Sequence, residues 1–415
     1  MRIVDVSAFY SPAGGGVRTY VEAKLRAAPR FGHEMIVVVP GRDNAVERRG
    51  PGAYLVSLAS PTLPVDRRYR YFDDQQALHR TLAAWRPDHV EASSPWSSAT
   101  MVGRWQGAAS RSLVMHADPM AAYAYRWLGG VVRIETIDRW FGAFWRHLRG
   151  LGQMFDAVIC ANGQLAGRLR AAGIGNARTI AMGVEPERFS PALRSSALRA
   201  DALRSLGLDS DATLLAGIGR FSGEKRWEMV VRAVDVCSRQ RPVGMLLIGD
   251  GPRRARLEIM VARMDRVAVL PRLDNRAELA RMVASADALI HGCEAETFCL
   301  VAAEARASGI PMIVPDRGAA LDLLAPHAGH AFRAGSERSL QRAIGRFIDG
   351  GVELQRAAAV RASGVRTIDQ HFAELFALYA QVASMPVFSP MPILAGADSG
   401  VIPELAVARS SVRHS

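Results

Sequence analysis

Residues 2–40 read RIVDVSAFYSPAGGGVRTYVEAKLRAAPRFGHEMIVVVP, and this stretch decides the fold. The apolar run 3–8 predicts a strand, residues 11–16 a glycine-rich turn, 17–28 a helix and 35–39 a second strand. Parallel strands need a helical crossover between them, so this order is typical of a βαβ unit. The N-terminal end of the chain therefore predicts an α/β protein built on a parallel sheet.

The same alternation of strands and helices continues and then restarts. Further strands are predicted at residues 54–57, 89–92, 113–116 and 157–161. A second series is predicted at residues 213–218, 245–248, 267–270, 288–290 and 312–314. Residues 183–191, rich in proline and charge, lie between the two series and are interpreted as the linker. The chain has 415 residues, about twice the usual size of one domain, which fits two cores.

The predicted organisation has four parts. Residues 1–190 and 191–367 form two Rossmann-like, doubly wound domains that face each other across a cleft. Residues 368–386 form a helix with aromatic residues at helical spacing, and residues 387–415 form a poorly ordered tail rich in proline, serine and alanine.

Composition limits the class of protein. A hydrophobic content of 49% indicates a globular chain, and a formal charge of +12 predicts affinity for anions such as nucleotide phosphates or lipid headgroups. The basic residues are scattered, which disfavours nucleic acid. The four cysteines show no C-x-x-C spacing, and no apolar run resembles a signal peptide or a membrane span. These features predict a cytoplasmic enzyme without zinc.

The densest chemical signal is ETFCLVAAE at residues 296–304, which places Glu296 and Glu304 eight residues apart around the start of a helix. Eight residues rise about 12 Å and return to nearly the same helical face. The free amides of the first turn offer a phosphate site between the two carboxylates. The alternative is an amphipathic helix with two solvated glutamates. The preceding strand favours a site, because ligands bind at the carboxyl ends of parallel strands.

Two cations and a glycine-rich turn give further signals. Arg220 and Lys225 follow the strand at 213–218, where a guanidinium fork and an ammonium can converge on a diphosphate. Lys225 is one of two lysines in the chain, the other being Lys24, although two solvated loop cations remain the alternative. Residues 11–17, SPAGGGV, let a ligand approach the backbone or form a plain tight turn. They do not match G-x-G-x-x-G, so NAD binding is disfavoured.

In this order, the motifs resemble family 4 retaining glycosyltransferases of the GT-B fold over roughly residues 1–385. The motifs that carry the resemblance are the glycine-rich first loop, GHE at 32–34, GVEPERFSP at 183–191, GR and EK at 219–225, GDGP at 249–252 and the glutamate pair. Two positions depart from the family: Cys299 stands where glycine is usual, and Met182 where asparagine is usual.

The resemblance implies roles for individual residues. Arg220 and Lys225 would hold the donor diphosphate. Glu304 would bind the ribose hydroxyls and Glu296 those of the transferred sugar. His116, at the end of a predicted strand, would lie near the reacting carbon or the acceptor, although a structural histidine is the alternative. The other donor contacts implied are Gly15, Gly16, Arg272, Leu273, Thr297, Phe298, Cys299 and Leu300.

The resemblance also implies the reaction. A hexose would pass from a UDP- or GDP-sugar to a glycan, lipid-linked or small-molecule acceptor, with retention at the anomeric carbon and no cofactor. Asp209-Ser210-Asp211 has D-x-D spacing but precedes a strand, so it is interpreted as a turn, and no obligatory metal is expected. The C-terminal helix would cross back onto the first domain. The alternatives are an epimerase or phosphorylase of the same fold, a pseudo-enzyme that only binds, and an oxidoreductase.

One segment of the first half combines aromatic and basic residues. Residues 139–149 read RWFGAFWRHLR, a composition that suits contact with a membrane surface or a lipid-linked acceptor. Core packing of the aromatics with exposed arginines is the alternative. Peripheral association with the inner face of the membrane is therefore one expectation.

Overall fold

The computed structural model describes residues 1–10, 16–64, 69–116, 118, 120, 134–185 and 187–384. It contains two sheets flanked by helices, one of eight strands and one of six. The predicted α/β fold class is confirmed. The predicted domain boundaries stay a prediction, and the tail at 387–415 lies outside the described residues, as do Gly15 and residues 385–386 of the expected C-terminal helix.

The first sheet has the strand order β3-β4-β2-β1-β5-β6-β7-β8. Its strands are β1 Arg2–Ser7, β2 Glu34–Gly41, β3 Ala45–Gly50, β4 Ala53–Ala59, β5 His89–Ser93, β6 Ser110–Met115, β7 Ala157–Cys160 and β8 Ala177–Thr179. The described helices beside it are α1 Gly16–Arg30, α2 Gln75–Trp85, α3 Ser97–Gly103, α4 Ile134–Trp140, α5 Gly142–Met154 and α6 Gly163–Ala171.

This sheet is parallel except at one edge. Strand β3, which the sequence analysis did not predict, pairs antiparallel with β4. The segment AVERRG is almost entirely exposed, so it lacks the apolar run that marks the other strands. Its charged side chains suit an edge, because they discourage pairing with another chain.

The second sheet is wholly parallel, in the order β11-β10-β9-β12-β13-β14. Its strands are β9 Thr213–Ile218, β10 Val243–Ile248, β11 Val267–Leu270, β12 Ala288–Ile290, β13 Met312–Pro315 and β14 Gly329–Phe332. Its helices are α7 Ser196–Ser205, α8 Trp227–Ser238, α9 Arg254–Val261, α10 Arg276–Ser285, α11 Leu300–Ala307, α12 Ala319–Asp322, α13 Glu337–Asp349 and α14 Val352–Arg361.

Each sheet has one point at which the winding direction reverses. The chain moves outward from β9 through β10 to β11, and then continues from β12 on the other side of β9. In the first sheet the same reversal lies between β1 and β5. Ligands of doubly wound sheets bind beside such reversals, at the carboxyl ends of the strands.

The last described helix, α15 Ile368–Ser384, returns to the first sheet as predicted. Its buried residues Phe372, Leu375 and Tyr379 join the apolar cluster formed by α1, β1 and β2. The chain therefore crosses between the two sheets twice, and the crossings lie side by side in a parallel bridge between Val184 and Thr367. A side chain at Gly183 would put its Cβ 2.0 Å from the Thr367 oxygen, so glycine is required there.

Candidate active site

The loops that carry the predicted donor residues leave the carboxyl ends of β9, β10 and β12. The loop after β10 packs directly on the loop after β9: Phe221 N donates to Asp250 O at 2.8 Å. A Cβ at Gly251, whose φ is +153°, would lie 2.7 Å from the Phe221 oxygen. The GR and GDGP motifs therefore form one packed unit that fixes the backbone around Arg220.

Lys225 and Glu296 form an ion pair across the reversal between β9 and β12. The Lys225 ammonium donates to Glu296 Oε1, and the two side chains are 15% and 24% exposed. Burial alone would lower the pKa of Lys225, but the Glu296 carboxylate outweighs it and the pKa is raised. Burial also opposes ionisation of Glu296, yet Lys225 and His291 hold its pKa below the usual range. Both directions favour the charged forms, an ammonium on Lys225 and a carboxylate on Glu296.

His291 lies directly after β12, beside this pair. It is fully buried, its Nε2 is 3.8 Å from Glu296 Oε1, and neither ring nitrogen has a hydrogen-bond partner among the described residues. Burial, with the nearby Lys225 charge, lowers its pKa to about 4. His291 belongs to none of the motifs found in the sequence. The signal that could have indicated it is a histidine placed directly after a buried strand.

Cys299 has a backbone conformation that favours glycine. Its φ is +59° and ψ is +67°, and it stands at the N-cap of α11 with 2% of its surface exposed. The glycine usual at this position in the family has a physical explanation, because a left-handed residue with a Cβ costs about 1–2 kcal/mol. Burial raises the pKa of the Cys299 thiol well above its ordinary value, so the group is a neutral thiol.

Ligand atoms of His291, Glu296 and Cys299 lie within 4.8 Å of one another, a set that could hold a metal ion. The Lys225 ammonium is already hydrogen-bonded to the carboxylate of this set.

The exposed Asp209-Ser210-Asp211 stretch lies at the amino end of β9, where Arg199 Nη1 donates to Ser210 O at 2.7 Å. The absence of an obligatory metal stays a prediction.

Glu304 lies on α11 with 3% of its surface exposed, paired to a cation that the motifs did not reveal. Arg276 Nη2 donates to Glu304 Oε1 at 2.5 Å, and the Arg276 guanidinium lies 5.0 Å from the centre of the Phe189 ring. Burial raises the pKa of Glu304, and Arg276 opposes that rise. The carboxylate expected to bind ribose is therefore supported from one side by Arg276.

Arg220 extends toward the first half of the chain. Its guanidinium carbon lies 5.8 Å from the ring centre of Tyr69, and Trp227 Nε1 donates to its carbonyl oxygen at 3.0 Å. The Arg272 guanidinium bonds Asp274 at 2.6–2.8 Å, and Leu273 packs on the core of the second sheet. Gly16 is the exposed first residue of α1. Their roles in donor binding stay predictions.

The loop 296–300 contacts the first sheet as well. Thr297 Oγ1 donates to His116 O at 2.8 Å, and Asn162 Nδ2 donates to Thr297 O at 2.5 Å. His116 follows β6 directly, and Asn162 caps α6. The half-buried Phe298 and Leu300, the first residue of α11, complete the loop. The hydrogen bond from Thr297 to the His116 carbonyl therefore links the loop that carries Glu296 to the loop that carries His116.

The comparisons with known proteins agree with this geometry. Residues 14–188 match the family model Glycosyltransferase Family 4, and residues 199–363 match Glycosyl transferases group 1. A GDP-mannose-dependent alpha-mannosyltransferase of Mycobacterium tuberculosis is 30% identical over 332 residues, which cover 79% of this chain and 82% of that protein. The chain belongs to the family 4 glycosyltransferases.

Solved structures similar to this family 4 glycosyltransferase have the GT-B fold. Sucrose-phosphate synthase from Thermosynechococcus elongatus aligns with a TM-score of 0.71 at 20% identity, covering 92% of this chain and 98% of that one. HepE from Anabaena, in complex with UDP and glucose, aligns with a TM-score of 0.67 at 16% identity, covering 91% and 100%. The predicted GT-B architecture and glycosyltransferase activity are both confirmed.

Residues 139–149 of this glycosyltransferase divide between core and surface. Trp145 and Leu148 are buried, whereas Trp140 is 62% exposed beside the exposed Arg139. The alternative that the aromatic residues pack in the core is therefore confirmed for Trp145 and wrong for Trp140. No helix in the described ranges is long and apolar enough to cross a membrane.

Proposed function

We propose that this glycosyltransferase transfers mannose from GDP-mannose, with retention, to a lipid-linked or glycan acceptor. Two relatives support the donor and the acceptor class. The 30% identical mycobacterial protein is named GDP-mannose-dependent, and a 26% identical one is a GDP-mannose-dependent alpha-(1-6)-phosphatidylinositol dimannoside mannosyltransferase. The Lys225–Glu296 pair at the reversal between β9 and β12 carries the catalytic part of the proposal.

Cleavage of the bond between the anomeric carbon and the diphosphate puts positive charge on the sugar ring and negative charge on the phosphate. Lys225 and Arg220 neutralise the departing diphosphate, and the amides of Leu300 and Val301, which open α11, add a dipole of the same sign. Because these groups are fixed by the packed loops beforehand, they need no reorganisation during the reaction.

Glu296 serves two partners in this scheme. One oxygen holds the Lys225 ammonium, and the other accepts from hydroxyls of the transferred sugar. The acceptor attacks from the face that the diphosphate leaves, and a departing phosphate oxygen takes the acceptor's proton. This route gives retention without a protein nucleophile.

A thermal-shift screen of GDP-mannose, GDP, UDP-glucose and ADP-glucose tests the donor. A ligand at 100 times its dissociation constant adds about 2.7 kcal/mol of stability, which we expect for GDP-mannose and not for the other sugar nucleotides. Turnover with an alkyl mannoside acceptor, followed by NMR of the product, tests the reaction. An α-linked mannoside is expected; stabilisation by UDP-glucose alone, a β-linked product, or conversion of the donor without transfer would contradict the proposal.

Peripheral membrane contact through residues 139–149, at the cytoplasmic face, belongs to the same proposal. The support is the exposed Trp140 next to Arg139. Vesicles with anionic lipid should bind the protein, and Trp140→Ala should weaken that binding. Equal binding by both proteins would refute the contact.

A further inference from the structure

A charged cluster is buried in the first sheet, at the reversal between β1 and β5. Lys24, Asp5 and Glu91 are each 0% exposed. The Lys24 ammonium lies 3.0 Å from Asp5 Oδ2 and also donates to Glu91 Oε2. Tyr379 of α15 donates to the same carboxylate. Buried charges are costly even when paired, and the donor site makes no use of this cluster.

Ser93 connects the cluster to His116. Its hydroxyl lies 2.9 Å from Asp5 Oδ1 and 3.3 Å from Glu91 Oε1, and its oxygen lies 3.2 Å from His116 Nε2. A serine hydroxyl has one proton to donate. With that proton given to Asp5, the Ser93 oxygen can only accept from the imidazole.

The direction of this chain determines which ring nitrogen of His116 carries hydrogen. If Nε2 accepts from Ser93, the Asp5 oxygen beside it loses its donor inside the protein, where an unpaired acceptor is strongly disfavoured. If Nε2 carries the hydrogen, each member of the chain is satisfied. Lys24 fixes this polarity, because it holds Asp5 as the accepting end.

We propose that Ser93, Asp5 and Lys24 are positioning residues that fix His116 as the Nε2–H tautomer and leave Nδ1 as a hydrogen-bond acceptor for a substrate hydroxyl. The substrate part rests on the proposed function, whereas the tautomer part does not. The role is one of positioning, since none of the three is placed against the donor.

Two further observations agree with this role. Burial lowers the pKa of His116 to about 4, so the ring is neutral near pH 7 and a single tautomer can be defined. The Tyr20 and His116 rings meet edge to face with their centres 5.2 Å apart, which restricts the orientation of the imidazole. The Thr297 hydroxyl donates to the His116 carbonyl oxygen and so holds the backbone of that residue.

Long-range ¹H–¹⁵N NMR of histidine-labelled protein tests the tautomer directly, with His116→Gln assigning the signals. We expect one nitrogen of His116 to be protonated and the other bare, in a ratio of about tenfold or more for one buried hydrogen bond. Ser93→Ala should give a mixture, Ser93→Thr should restore the single form, and Asp5→Asn should reverse it, because an amide can donate to Ser93. Ser112→Ala is the matched control: Ser112 lies 2.8 Å from His89 Nε2 on the neighbouring strands, and its loss should alter His89 alone.

An Nδ1–H form in the wild type, or a ratio unchanged in folded Ser93→Ala, would overturn the proposal. The serine series decides the matter even if Asp5→Asn does not fold. Turnover measured on the same samples separates the two ideas: an inactive wild type with the Nε2–H form refutes the proposed function alone. If both hold, Ser93→Ala should lower kcat and leave the KM for the donor within about twofold, the pattern expected when a contact made in the transition state is weakened.

Discussion

Arg276 Nη2 lies 2.5 Å from Glu304 Oε1, which ties the start of α10 to the buried face of α11. The Glu304 side chain is 4% exposed and the Arg276 side chain is 32% exposed. Water can therefore solvate the guanidinium in part, whereas the buried carboxyl group relies on Arg276 as its hydrogen-bond donor. One oxygen of Glu304 is thereby fixed, and in the proposed donor site the other would accept from the ribose hydroxyls. Burial raises the pKa of the Glu304 carboxyl group, and the Arg276 guanidinium opposes that rise.

Replacing Arg276 should damage both stability and donor binding. Arg276→Ala leaves a buried carboxylate unpaired, which costs up to about 3–5 kcal/mol in closed sites and less here because Arg276 is partly exposed. We expect a lower thermal midpoint and about tenfold weaker binding of the nucleoside diphosphate, measured by calorimetry. The control is Arg281→Ala on the exposed face of the same helix. Equal affinity in both variants would remove Glu304 from the ribose site.

Loss of Lys225 or Arg220 should reduce catalysis far more than stability. Removing one fixed donor that meets developing charge typically costs about 100- to 1,000-fold in rate. We expect that loss in kcat/KM for Lys225→Ala and Arg220→Ala, while the circular dichroism spectrum stays normal. Arg232→Ala, which breaks a surface pair with Glu337, is the control. Near-normal turnover by either of the first two variants would refute its assignment.

The predictable part of this site comes from motifs with a regular position in the fold. Lys225 and Glu296 follow buried strands, and parallel strands bring their carboxyl ends to one edge, so their meeting follows from the sequence. Arg276 and His291 belong to no motif. The one signal for Arg276 is a cation in the first turn of α10, where the helix dipole disfavours it. The buried chain from Lys24 to His116 joins helix α1, strands β1 and β5 and the residue that follows β6, so only the tertiary structure reveals it.

Cys299 should reverse the usual order of alanine and glycine variants. Alanine keeps the Cβ that a left-handed backbone disfavours by about 1–2 kcal/mol, whereas glycine removes it at an entropic cost of about 0.5–1 kcal/mol. We therefore expect Cys299→Gly to unfold at a higher temperature than Cys299→Ala. Cys293 is the control, because it is equally buried without a positive φ. There the alanine variant should be the more stable of the two. The same order at both positions would contradict a strained Cys299.

A chelator should leave turnover intact. In the proposed mechanism, Lys225, Arg220 and the start of α11 would supply the positive charge that a divalent metal supplies in metal-dependent transferases, and Lys225 is already paired with Glu296. We expect initial rates in EDTA to equal those in added Mg²⁺ or Mn²⁺. Abolition of activity by EDTA, and its recovery on adding metal, would show that a metal is obligatory.

His291 should make stability fall as the solution is acidified. Its pKa is about 4 in the folded chain and about 6.5 when unfolded, so between these values the unfolded chain binds a proton that the native state does not. The free energy of unfolding then decreases from pH 6.5 toward pH 4 and is unaffected by this group above pH 7. The decrease amounts to about 3 kcal/mol at full protonation.

Urea titrations should show a shallower pH dependence in His291→Gln, although His89, His116 and His371 contribute similar slopes. The control is His327→Asn, a substitution at an exposed histidine. A wild-type slope in His291→Gln would mean that the imidazole gains a partner as the pH falls, with Glu296 at 3.8 Å the nearest carboxylate in the contacts described.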